Sequence, residues 1–132
     1  MFYYIGGISM NDIKVKRIYE DSSQDDGFRI LVDRLWSRGV SKDKANIQEW
    51  AKDIAPSSEV RKRFNHDPDL MDWFRTQYLQ ELNGNKSADN FIALVRDKLE
   101  QGNVTLLYSA KDEKISQAVV LLEWLKERLG KL

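Results

Sequence analysis

The chain has 132 residues, with Lys+Arg and Asp+Glu balanced at 21 each and 42% hydrophobic residues. That describes one ordinary globular domain, large enough to bury roughly two-thirds of its unfolded surface, and argues against a global field for nucleic acid or anionic membrane. Cysteine is absent, which excludes disulfides, thiol nucleophiles and Cys-ligated metals and suits a cytoplasmic location.

Met1 to Ile8 is apolar but far short of the about 20 residues that span a bilayer, and it lacks the basic start of a secretory signal. Residues 1–11 read as a tail or an extra edge strand, with Met10 as a second candidate start, and residues 12–132 as a single α/β domain. Asp12 to Glu20 alternates Ile13 and Val15 with Lys14 and Lys16, a half-exposed strand. The polar stretch Asp21 to Gly27 is a loop. Phe28 to Val32 is then too uniformly apolar for a strand with one wet face, which favours a covered parallel sheet. It runs into Asp33, Arg34, Trp36, Arg38 and Gly39.

Ile47, Trp50, Ala51 and Ile54 recur at helical spacing and predict a helix ended by Pro56. Ser57 caps the next, where Val60 and Phe64 share a face and Arg61, Lys62 and Arg63 form a solvated side. Asp67 and Pro68 open a helix with the stripe Leu70, Trp73, Phe74, Tyr78 and Leu82. Ser87 opens another, carrying Phe91, Ile92, Val95 and Leu99. Val104 to Tyr108 repeats the form of the first buried strand and leads into Ser109, Ala110, Lys111 and Asp112. A last helix carries Ile115, Ala118, Val119, Leu122, Leu125 and Leu129. The architecture is α/β: a small, mostly parallel sheet of three or four strands flanked by about five helices, with the Phe28 and Val104 strands adjacent and parallel inside it.

Open sheets of this kind bind ligands beyond the carboxyl ends of their strands. The candidate ligand-binding residues are therefore Arg29, Asp33, Arg34, Arg38, Lys111 and Asp112, with His66, Asp67 and Tyr108 as further candidates. Arginine forks and a lysine before a helix N-terminus suit a phosphate or carboxylate. Equally, Arg29, Asp33, Arg34 and Asp112 could form an ion-pair network that only neutralises strand ends. The four tryptophans read as core or near-core, and His66 as a packing or capping residue before a base. No phosphate-loop, dinucleotide or zinc pattern exists, so neither cofactor nor metal is expected.

Lys16-Arg17-Ile18-Tyr19, Asp26 to Gly39, Ala55-Pro56-Ser57, His66-Asp67-Pro68 and Val104 to Asp112 together resemble the YeaO-like family of uncharacterised proteins, in order and at similar spacing over about Ile13 to Leu125. The resemblance implies a small α/β protein of the bacterial or archaeal cytoplasm and no particular activity. Ser37 stands where that family usually has proline, which makes the turn less rigid. Ile115-Ser116 replaces a usual His-Asn pair, which weakens acid–base chemistry at that corner. The expected function is binding of an anionic small molecule, phosphorylated ones included, with hydrolysis open; the alternative is a regulatory or interaction module for a protein or nucleic acid.

Overall fold

The computed structural model describes residues 2–3, 11–112 and 114–130. Five strands, β1 (Phe2–Tyr3), β2 (Asn11–Arg17), β3 (Phe28–Leu31), β4 (Glu49–Trp50) and β5 (Val104–Tyr108), form one sheet in the order β1-β2-β5-β3-β4. The last four are mutually parallel; β1 pairs antiparallel with the start of β2, and residues 4–10 lie outside the described residues. Among the described residues five α-helices accompany the sheet: α1 (Lys42–Ala45), α2 (Ser58–Phe64), α3 (Met71–Asn83), α4 (Ala88–Gln101) and α5 (Gln117–Gly130). The expected pair is present. Phe28 stands beside Val104 and Leu31 beside Leu107, with β5 at the centre and β3 inside the sheet.

The period-2 pattern of β3 and β5 sorts their side chains between two layers. Ile30, Val32, Val104, Leu106 and Tyr108 join the main core, where α3, α4 and α5 contribute Phe74, Tyr78, Val95, Leu121 and Leu125. Leu31 and Leu107 face a smaller cluster with Ile18, Val40 and Ala45, edged by Trp36 and Trp50. Both strands are thus covered on both sides, which explains their apolar runs. The phase of α5 differs slightly from expectation. Val120, Leu121 and Trp124 are buried with Ala118, Leu125 and Leu129, whereas Val119 and Leu122 are half-buried.

The helix expected over Ile47 to Ile54 does not form. Asn46 takes a left-handed conformation (φ 47°) and ends α1 after one turn. The chain then lies along β3, with Gln48 N–H donating to Arg29 O and Ala51 N–H to Leu31 O. Sheet pairing overrides a helical spacing that only four residues supported.

Arg29 is the other surprise. It is 1% exposed, and its guanidinium donates to Asp26 at 2.5 Å, Ala45 O at 2.9 Å and Asn46 O at 3.0 Å. Lys16 Nζ adds contacts of 3.2 Å to both Asp26 oxygens, and Ser23 N–H caps the same carboxylate at 3.0 Å. Burial pushes the Asp26 carboxyl up, but Ser23, Lys16 and Arg29 outweigh it and hold it below its ordinary value. Next to it, Gly27 sits at φ 63° with its backbone so close to Asn103 that a Cβ would lie 2.0 Å from the Asn103 carbonyl oxygen. Only glycine fits there.

Two stability predictions result. Removing one partner of a buried ion pair leaves the other uncompensated, so Asp26→Ala should cost about 3–5 kcal/mol in urea unfolding at pH 7. An unfolded aspartate titrates near pH 3.9. Because the folded value is lower, the stabilisation is complete above that pH and disappears as pH falls through the folded value. A loss below about 1 kcal/mol, or one that persists unchanged into acid, would show that Arg29 does not depend on Asp26. Phe74, 1% exposed and stacked on Phe64 with ring centroids 4.1 Å apart, joins α3 to α2. Phe74→Ala should cost about 3–5 kcal/mol by the same measurement.

Candidate functional site: a cavity at the strand exits

Past their last paired residues, β3 and β5 turn outward at Asp33 and Ser109. The Asp33 carboxylate, 6% exposed, accepts from Ser109 N–H at 2.9 Å and the Ser109 hydroxyl at 2.7 Å. Its other oxygen accepts from the Gln117 amide, on the first residue of α5. Burial pushes the Asp33 carboxyl above its ordinary value, while the Ser109 and Gln117 contacts and the nearby His66 pull it back. No arginine is within ion-pair distance of it among the described residues.

The segment Arg34 to Val40 is pinned at several points. Arg34 donates to Pro56 O at 3.0 Å and Ala55 O at 3.2 Å. Trp36 Nε1 reaches Val40 O at 2.7 Å, Trp50 Nε1 reaches Asp33 O at 2.7 Å, and the Tyr19 hydroxyl donates to Arg38 O at 2.9 Å. Gly39 turns the loop at φ 77°, open to the left-handed region because it has no Cβ.

Between this loop, the Ser109 turn and α2 lies a cavity of about 300 Å³. Arg34, Arg38 and Arg61 line it with positive charge; Asp33, Ser37, His66, Ser109 and Gln117 add polar groups, and Trp36, Pro56, Phe64 and Phe74 apolar ones. Ser37 is 3% exposed and its Oγ has no hydrogen-bond partner among the described residues. The Nε of Arg61 is buried in the same condition. Neither Arg38 nor Arg61 forms an ion pair among the described residues. Buried polar groups are nearly always paired, so two orphans at one cavity mark a place that something polar would complete. Asn65 (φ 45°) and His66 (φ 57°) are consecutive left-handed residues after α2. Such backbone costs about 1–2 kcal/mol per residue and is sustained here where it brings His66 to the cavity.

The sequence candidates separate accordingly. Asp33, Arg34, Arg38 and His66 line one cavity. Arg29 does not; it is spent on Asp26 and two carbonyls at the far end of β3. Lys111 and Asp112 are exposed and outside the lining, and Asp112 accepts from Lys114 N–H at 2.8 Å. These two corrections share a cause: α5 begins at Gln117, so residues 111–112 lie out on the turn before it. Asp67 caps the Pro68 turn through Asp69 N–H, and Tyr108 is buried in the core. The expected ion-pair network of Arg29, Asp33, Arg34 and Asp112 is not formed among the described residues; Arg29 pairs instead with Asp26, which lay outside it.

The cavity also takes in Arg61, which the sequence places on a solvated helix face, and Ser37 and Gln117, which the sequence does not single out as site residues. Arg61 lies three residues before Phe64, a spacing that puts both on one side of α2 and was its available signal. Ser37 and Gln117 carry no charge and gave none.

A family model described as "Inactive DUF488-N3 subclade" matches residues 12–131. The chain is 43% identical over 115 residues to the uncharacterized protein YeaO of Escherichia coli (strain K12), covering 87% of this chain and 97% of that protein. It is 36% identical over 116 residues to the uncharacterized protein Rv3073c of Mycobacterium tuberculosis (strain ATCC 25618 / H37Rv), covering 88% and 95%. No solved structure matches it. With matches that take in all four parallel strands and both strand exits, the chain belongs to the YeaO-like DUF488-N3i family.

Proposed function

We propose that the cavity binds a small molecule through a phosphate-like anionic group and does not turn it over. The observation that carries this reading is that three arginines, Arg34, Arg38 and Arg61, line one cavity with Ser37, whose buried Oγ has no hydrogen-bond partner among the described residues. Three positive charges against one buried carboxylate leave an excess of about two, which matches the near −2 charge of a phosphomonoester at neutral pH. Guanidinium forks suit such oxygens in geometry as well as in charge. A volume of about 300 Å³ is at the small end for a ligand site.

Binding without turnover is supported by the state of Asp33. Both of its oxygens already accept from Ser109 or Gln117, so it orients the wall rather than offering a free base. The family description "inactive" agrees. A basic face for nucleic acid is less well supported, since Arg61 turns to the cavity and the Arg63 guanidinium lies 4.8 Å over the Trp73 ring.

No helix among the described residues is long and apolar enough to cross a membrane, and a cytoplasmic small-molecule binder fits the cysteine-free composition.

Calorimetry with inorganic phosphate and simple phosphomonoesters tests the proposal. A charge-assisted contact is worth about 1.5–3 kcal/mol, so Arg38→Ala and Arg61→Ala should each weaken binding by roughly ten- to a hundredfold. Arg34 also ties Ala55 and Pro56, which makes it the less clean variant. Phosphate release from the same esters should stay at the buffer rate. Absence of binding at millimolar ligand, or equal binding by all variants, overturns the assignment; measurable hydrolysis overturns its second half.

A further inference from the structure

Among the described residues the large hydrophobic side chains classed as exposed are Tyr19, at 37%, and Leu35, at 60%. A single exposed leucine is ordinary. Here both residues line the same cavity, beside the arginines, and the described remainder of the surface has no other.

Their exposure is built in. Leu35 lies between Arg34 and Trp36, each tied to backbone carbonyls, so the loop cannot fold it inward without breaking those bonds. The Tyr19 hydroxyl is held by Arg38 O, and the Arg17 guanidinium lies 4.8 Å from the ring centroid. Arg17 is itself anchored to the other strand exit, donating to Ala110 O at 2.8 Å and Ser109 O at 3.1 Å. The ring is thus a stiff platform fixed to both sides of the cavity. Stiff apolar platforms bind well because little freedom remains to be lost.

Resting on the reading of the cavity as an anion site, we infer that the ligand is a phosphomonoester of a small, flat, apolar or aromatic body, whose ring lies against Leu35 and Tyr19 while its phosphate meets the arginines. The cavity has room for a phosphate and one ring rather than for a dinucleotide. A polar body such as a polyol would leave Leu35 and Tyr19 facing water.

The experiment compares inorganic phosphate, glycerol 2-phosphate and phenyl phosphate by calorimetry on the wild type, Leu35→Ser and Tyr19→Leu. Phenyl phosphate should bind the wild type about tenfold more tightly than the other two, the contribution expected from burying one apolar side chain against a ring. Leu35→Ser should erase most of that preference while leaving inorganic phosphate within about twofold of wild type. Tyr19→Leu keeps apolar area but removes the ring and its hydroxyl, and should reduce the preference too. Phosphate binding with no preference for the phenyl ester, or a preference that survives both substitutions, overturns the inference and leaves the anion site standing. If none of the three compounds binds, the anion site and the inference fall together. Leu35 is largely exposed, so Leu35→Ser should keep the wild-type urea midpoint; a shifted midpoint would show the residue to be structural and would also count against its place in the ligand platform.

Discussion

The Asp33 carboxylate holds the strand-exit end of this protein together. It is buried at the point where β3 ends, and burial of a charge is tolerated only when fixed dipoles replace water. Ser109 supplies two donors and Gln117 a third, while the Asp33 carbonyl accepts the Trp50 indole. One residue thereby joins the exits of β3 and β5, the strand β4 and the first residue of α5. Because neutral donors do this work, none of the neighbouring arginines is paired with a carboxylate among the described residues: Arg34 donates to the Ala55 and Pro56 carbonyls, and Arg38 and Arg61 form no ion pair. Had Arg34 or Arg61 paired with Asp33, the cavity would be an internally satisfied ion cluster with no excess charge to offer.

The opposite end of β3 shows what such satisfaction looks like. Arg29 spends its donors on Asp26, Ala45 and Asn46, and Asp26 is further contacted by Lys16 and Ser23. Charge there is compact, buried and closed, and it fixes α1 beneath the sheet. Two charged clusters at the two ends of one strand thus differ in their partners: one is closed on itself, the other borders a cavity.

The sequence made the long-period features plain. Phe28 to Leu31 and Val104 to Tyr108 stood out because burial on both faces removes polar residues from alternate positions, and α3 and α4 because their stripes run over three turns. Trp50 misled because a two-residue strand has no period of its own, and its neighbours happened to fall at helical intervals. Arg29 misled because charge in a strand normally marks the wet end; only the later positions of Ala45 and Asn46 show that it is buried. The strand-exit rule pointed to the end of the sheet where the cavity lies, and Asp33, Arg34 and Arg38 are among its lining. It could not tell which of the cations nearby point inward, since Lys111 and Arg61 differ in the turn and helix geometry that carries them and not in their chemistry.

The strand order has a consequence for the timing of folding. The central strand, β5, is the last of the five to be made, and β2 and β3 each pair with it and not with one another. The contact that closes the cavity, Ser109 to Asp33, spans 76 residues. Contacts this distant are slow to form, because loop entropy is lost before pairing repays it. Helices α2 and α3 meet through a local contact, Phe64 stacked on Phe74, but a nascent chain that stops short of Val104 leaves the strands β2 and β3 without their common partner. Because β2 and β3 meet only through β5, neither the sheet nor the cavity at its strand exits is complete before Val104–Tyr108 and Ser109 are in place.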